Sequence, residues 1–111
     1  MYILVEQWTP KAKWLQASSE ERSSFMQGVG QAIVELSQQG VKVISWNLND
    51  LDTSHRAEAT YFAVWSFPNL EVARNFEDAV EASGWYEYFE QTNLRGLAQS
   101  PEEVIDQHIA L

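Results

Sequence analysis

Residues 41–67 read VKVISWNLNDLDTSHRAEATYFAVWSF. Two β-rich runs, Val41–Leu48 and Ala57–Phe67, bracket a stretch of Asn, Asp, Thr and Ser. The bracketed residues favour turns because their side chains hydrogen-bond their own backbone. Two strands joined by so short a loop predict an antiparallel hairpin. What flanks the hairpin sets the fold class. Upstream, Ser18 and Glu21 form a capping-box pattern, in which hydroxyl and carboxylate satisfy orphan N–H groups. Phe25, Val29, Ala32, Ile33 and Leu36 then recur at helical spacing, and Gly40 is placed to end the helix in a left-handed turn. This predicts a helix over 19–39. Downstream, Pro68-Asn69 breaks the strand, and Leu70, Ala73, Phe76 and Val80 predict a second helix running to Ala82. At the start, Tyr2–Trp8 (YILVEQW) reads as a strand stopped by Thr9-Pro10. The order is β-α-β-β-α, and the class is α+β.

The remainder reads as helical. Trp85 and Phe89 are four apart and share a face of a helix, so 85–91 is expected to be helical. Ser100-Pro101-Glu102-Glu103 combines a capping box with proline at the first helical position and predicts a final helix over 101–108. A ferredoxin-like unit would add a fourth strand after the second long helix. Leu94–Ala98 is short and contains Gly96, so no such strand is read there.

With 111 residues the chain is the size of one domain, taken as 1–111. Seven Lys and Arg against sixteen Asp and Glu give a net charge of −9. That charge repels phosphate backbones and anionic lipid, so neither nucleic acid nor membrane is an expected partner. There is no cysteine, which removes disulfides, thiolate catalysis and cysteine-ligated zinc. No signal pattern or membrane-length apolar run is present, so a cytoplasmic location is expected.

The sheet is apolar on both sides. In the third strand Ala59, Tyr61, Ala63, Trp65 and Phe67 alternate with Thr60, Phe62, Val64 and Ser66. In the second, Val41 and Val43 alternate with Ile44, Trp46 and Leu48. A sheet with one wet face should alternate cleanly between apolar and polar. Two helices cover one face, and a second copy of the chain is the economical cover for the other, which predicts a homodimer. The rival cover is the C-terminal helix folded back over the sheet.

Four stretches carry a resemblance: VEQWTPKAKWL (Val5–Leu15), SSEERSSF (Ser18–Phe25), SWNLNDLDTSHRAEATYFAVWSFPN (Ser45–Asn69) and GWYEYFEQTNLRG (Gly84–Gly96). Through them the chain resembles an uncharacterised small-protein family within the dimeric α+β barrel superfamily. The resemblance implies ferredoxin-like sheets paired face to face. It selects no chemistry, because that superfamily includes monooxygenases, haem-degrading enzymes, dehydratases, isomerases and ligand-sensing proteins.

Three groups of residues suit chemistry. His55 with nearby carboxylates suits acid–base work near neutral pH, and Arg56 suits a carboxylate clamp, so these two are the catalytic candidates. The same residues also suit a polar hairpin turn. Aromatic faces beside polar tips suit a ligand pocket, which makes Trp46, Tyr61, Trp65, Trp85 and Tyr88 the ligand-binding candidates. Core packing is their alternative role. Glu6 and Glu58, each placed in a strand among apolar residues, would gain a raised pKa if buried. Gly28-Val29-Gly30 lies inside a helix and follows no strand, so it is no dinucleotide fingerprint; close helix packing is its expected reason. Asn49-Asp50-Asp52 lacks the glycine and distal glutamate of a calcium loop. No metal pair is expected of His55 and His108, and the sequence names no cofactor. The leading expectation is a metal-free enzyme acting on a small aromatic or carboxylate compound in a pocket between sheet and helices. A non-catalytic binding or sensing module and a purely structural dimer are the alternatives.

Overall fold

The computed structural model describes residues 1–111. Strand β1 (Tyr2–Pro10) leads through a single helical turn, α1 (Ala12–Gln16), into α2 (Ser19–Ser37). The hydroxyl half of the expected capping box is present, since the Ser18 hydroxyl accepts from the Glu21 N–H. Gly40 follows at φ +95°, and a Cβ there would lie 3.0 Å from the Pro68 ring, so both conformation and packing require glycine. Strands β2 (Lys42–Leu48) and β3 (Tyr61–Phe67) form the expected antiparallel hairpin, with a register shift between Val43 and Ser45. Helix α3 (Leu70–Ala82) starts at Asn69, whose side chain accepts from the Val72 N–H.

After Gly84, at φ +83°, the chain makes only one turn of helix, α4 (Trp85–Tyr88), and then extends as β4 (Phe89–Leu97). The helix expected over 85–91 therefore stops at Tyr88. The fourth strand, not legible in the sequence, pairs antiparallel with β1 from Pro10↔Phe89 to Tyr2↔Leu97. Gln91, Asn93 and Gly96 are weak strand formers alone, and the ladder to β1 overrides that preference. The sheet order is β2-β3-β1-β4, with every pairing antiparallel. This is the ferredoxin-like arrangement.

The core lies between the sheet and its helices. Leu4, Trp8, Ala63, Trp65, Phe67 and Phe89 face Leu36, Ala73 and Phe76. The turn α1 brings Trp14 against Phe25, Tyr88 and Phe89. Close packing does not explain the two glycines of α2, because a Cβ at Gly28 or Gly30 would meet nothing within 4 Å. The other face of the sheet carries Val64, Val5 and Leu94 in one row, since Val5 is the register partner of both others. The final helix, α5 (Pro101–Ile109), has no buried residue and does not cover that face. No helix is long and apolar enough to cross a membrane.

Candidate functional site

Strand parity and register build the site. Leu4, Glu6 and Trp8 alternate along β1 and are all buried on the helix-facing side. Across the sheet, Ala63 pairs with both Trp46 and Glu6, so Trp46 and Glu6 stand on either side of a small side chain. Helices α2 and α3 roof this row. Between sheet and roof lies a cleft of about 60 Å³. Glu6, Trp46, Trp65 and Trp85 line it below, and Val29, Ile33, Leu36, Phe76 and Val80 line it above.

Glu6 is 6% exposed. A buried carboxyl needs hydrogen bonds, and this one has two. The Trp65 indole N–H donates to one oxygen at 2.7 Å, and the Gln91 amide donates to the other at 2.8 Å. Gln91 in turn accepts from the Trp85 indole N–H at 2.7 Å and donates to Asn93 at 2.9 Å. Two indoles thus find their partners through one glutamate and one glutamine. Burial pushes the Glu6 carboxyl above the ordinary glutamate range, and the hydrogen bonds from Gln91 and Trp65 offset part of that rise. Burial also raises the Tyr86 phenol, against a hydrogen bond with Asn93. The cleft contains no Lys, Arg or His, so Glu6 is its one ionisable group. A carboxyl so placed can take a proton from a bound molecule or return one.

The structure gathers some sequence candidates and separates others. Trp46, Trp65 and Trp85 come together in the cleft. Tyr61 packs on Trp8, with ring centroids 5.9 Å apart, and Tyr88 packs on Trp14 and Phe25; neither lines the cleft. His55 and Arg56 lie on the β2–β3 connection, outside the cleft. His55 is exposed in a turn at φ +51°, and the Arg56 guanidinium donates to the Asp50 carbonyl. Glu58 is exposed on that connection, not in a strand, because Ala57–Thr60 is held as a loop by the Asn49 amide donating to the Ala57 and Ala59 carbonyls. Gln91 was not singled out from the sequence. Its signal was concealed with the fourth strand, since only strand parity turns it toward Glu6. No group of three or more His, Asp or Glu side chains lies together as a metal site.

A family profile described as a family of unknown function, DUF6616, matches residues 1–111. The chain belongs to DUF6616. No curated protein matches it. Among solved structures, the DUF6616 chain is similar to a mutant chlorite dismutase from Candidatus Nitrospira defluvii, with a TM-score of 0.68 and 17% identity. The match covers 90% of the DUF6616 chain and 40% of the neighbour, so this chain spans less than half of that protein. At this identity the likeness establishes the fold alone, the ferredoxin-like unit that the sequence resemblance implied.

Proposed function

We propose that the DUF6616 chain binds a small molecule in the cleft between its sheet and helices α2 and α3, with Glu6 as the group that exchanges a proton with it. The observation that carries this is one buried, hydrogen-bonded carboxyl set in a mostly apolar, tryptophan-walled cleft. Glu6 satisfies the Trp65 indole and, through Gln91, the Trp85 indole, and it keeps acceptor capacity beyond those two bonds on the wall of the cleft. Of the two compound classes expected from the sequence, charge favours the aromatic one. A carboxylate would sit beside Glu6 with no cation to pair it. This reading gives His55 and Arg56 no part in the chemistry. It assumes the cytoplasm as the location.

Ligand-observed NMR with a library of small aromatic fragments tests the pocket. Binders are expected to move the indole N–H signals of Trp65 and Trp85, and Ala79→Leu, which fills the cleft, is expected to abolish them. A library with no binder, or binders that leave both indole signals in place, overturns the reading. Binding without turnover is a second reading favoured by the same geometry, because both Glu6 oxygens already hold a donor. Mass spectrometry of the recovered ligand separates the two.

We also propose that the chain is a homodimer paired through the uncovered sheet face. Ile3, Val5, Phe62 and Val64 alternate to that side, and Leu94 there is 65% exposed. An apolar sheet face of this kind is normally covered. Light scattering is expected to give twice the chain mass for the wild type and a single chain mass for Val5→Asp. A monomeric wild type overturns this.

A further inference from the structure

We infer that the enclosed part of the cleft takes the ammonium head of an organic amine, whose body extends through the mouth past Trp46. This rests on the reading of the cleft as a ligand site, though not on whether turnover follows.

Size sets the first constraint. The enclosed space is about 60 Å³, well under the roughly 150 Å³ of an apolar cavity that holds benzene. A head group fits, and a ring does not. The body must therefore lie in the open mouth, where Trp46 is 42% exposed.

Chemistry sets the second constraint. The two polar lining residues are Glu6 and Ser83. The Ser83 hydroxyl is committed, donating to the Val80 carbonyl and accepting from the Trp85 N–H. Glu6 holds one donor on each oxygen, and each carboxylate oxygen can accept a second. What the cleft offers is acceptor capacity without a fixed donor. An anionic head would face a carboxylate with no counter-charge. A head that only accepts would go unsatisfied. An ammonium supplies up to three donors and the opposite charge.

The walls set the third. The Trp46 ring meets those of Trp65 and Trp85 nearly at right angles, at 75° and 83°, with centroids 6.1 and 6.3 Å apart. Three indoles thus wall one small cleft, with Trp46 part-exposed at its edge. Cations are attracted to aromatic faces, and most strongly to tryptophan, when water is excluded. This offsets the cost of desolvating the ammonium, which a buried ion pair alone would struggle to do. The net charge of −9 draws cations toward the protein from a distance.

The test compares three ligands of one shape, benzylamine, benzyl alcohol and benzoate, against the wild-type chain. Dissociation constants come from calorimetry, and the site is located through the Trp65 and Trp85 indole N–H signals. Benzylamine is expected to bind at least about tenfold tighter than benzyl alcohol, and benzoate not to bind. Glu6→Gln is expected to remove most of that preference, with its fold checked by thermal melting. Trp46→Leu, at an exposed wall, is expected to weaken benzylamine more than benzyl alcohol. If benzyl alcohol binds in the cleft as well as benzylamine does, the ammonium reading fails and the pocket stands. If benzylamine binds without moving the indole signals, or equally well to both variants, the attraction is general charge and the ammonium reading fails. If neither ligand binds, both this inference and the pocket reading fail.

Discussion

The β2–β3 connection and the floor of the cleft both carry groups capable of chemistry, and they differ in what surrounds them. On the connection, His55 is exposed and Arg56 is tied to a neighbouring carbonyl. In the cleft, Glu6 is shielded by three indoles and held by two N–H donors. Residue type makes the first look the more reactive. Environment gives the advantage to the second, because exclusion of water is what strengthens an electrostatic group.

The largest test of that contrast is Trp65→Ala. The side chain is 1% exposed, packs on Phe76 at 4.6 Å and satisfies Glu6. Its loss is expected to cost about 3–5 kcal/mol of stability in chemical denaturation. A cost below about 1 kcal/mol would mean that the cleft is a loose annex to the core.

The next test is the pH dependence of Glu6. Its folded pKa lies above the unfolded value of 4.5, so the folded state binds the proton more readily. The burial penalty is therefore present in full above the folded pKa and is relieved as pH falls toward 4.5. Relative to wild type, Glu6→Gln is expected to look most stable at neutral pH, and to lose that relative advantage on acidification. A difference that stays flat with pH would show that Glu6 is better solvated than its burial implies. The smallest effect is expected on the connection, where His55→Ala and Arg56→Ala should each change stability by at most about 0.5 kcal/mol and leave ligand binding to the cleft unchanged. A lost ligand in either variant would return the loop to the site and reverse the contrast.

The sequence made the two sides of this contrast unequally legible. The helices α2, α3 and α5 announced themselves through Ser18, Asn69 and Ser100, each of which caps as its local pattern predicts. The β2–β3 hairpin was equally local. Strand β4 was not, because its residues extend only through pairing with β1, from 79 (Pro10↔Phe89) to 95 (Tyr2↔Leu97) positions away in the chain. The Trp85–Phe89 spacing suggested a longer helix. Those two rings do touch, at 4.2 Å, with Phe89 already in the strand. The three cleft tryptophans could be selected from the aromatic excess. Glu6 could be noticed as a carboxylate between Leu4 and Trp8 on one strand face. Of the two groups that hold Glu6, Trp65 lies on a strand legible from its own residues and Gln91 lies on β4, which is not.

The Gln91 side chain fixes a direction as well as a position. Its oxygen is taken by Trp85, and its amide reaches both Glu6 and Asn93. It cannot turn over to accept from a protonated Glu6 without abandoning the Trp85 indole. Trp65 has only an N–H to give. When Glu6 acquires a proton, neither of these two partners can receive it. Both protein partners of this carboxyl only donate to it, so the network leans toward the charged form while burial leans toward the protonated one.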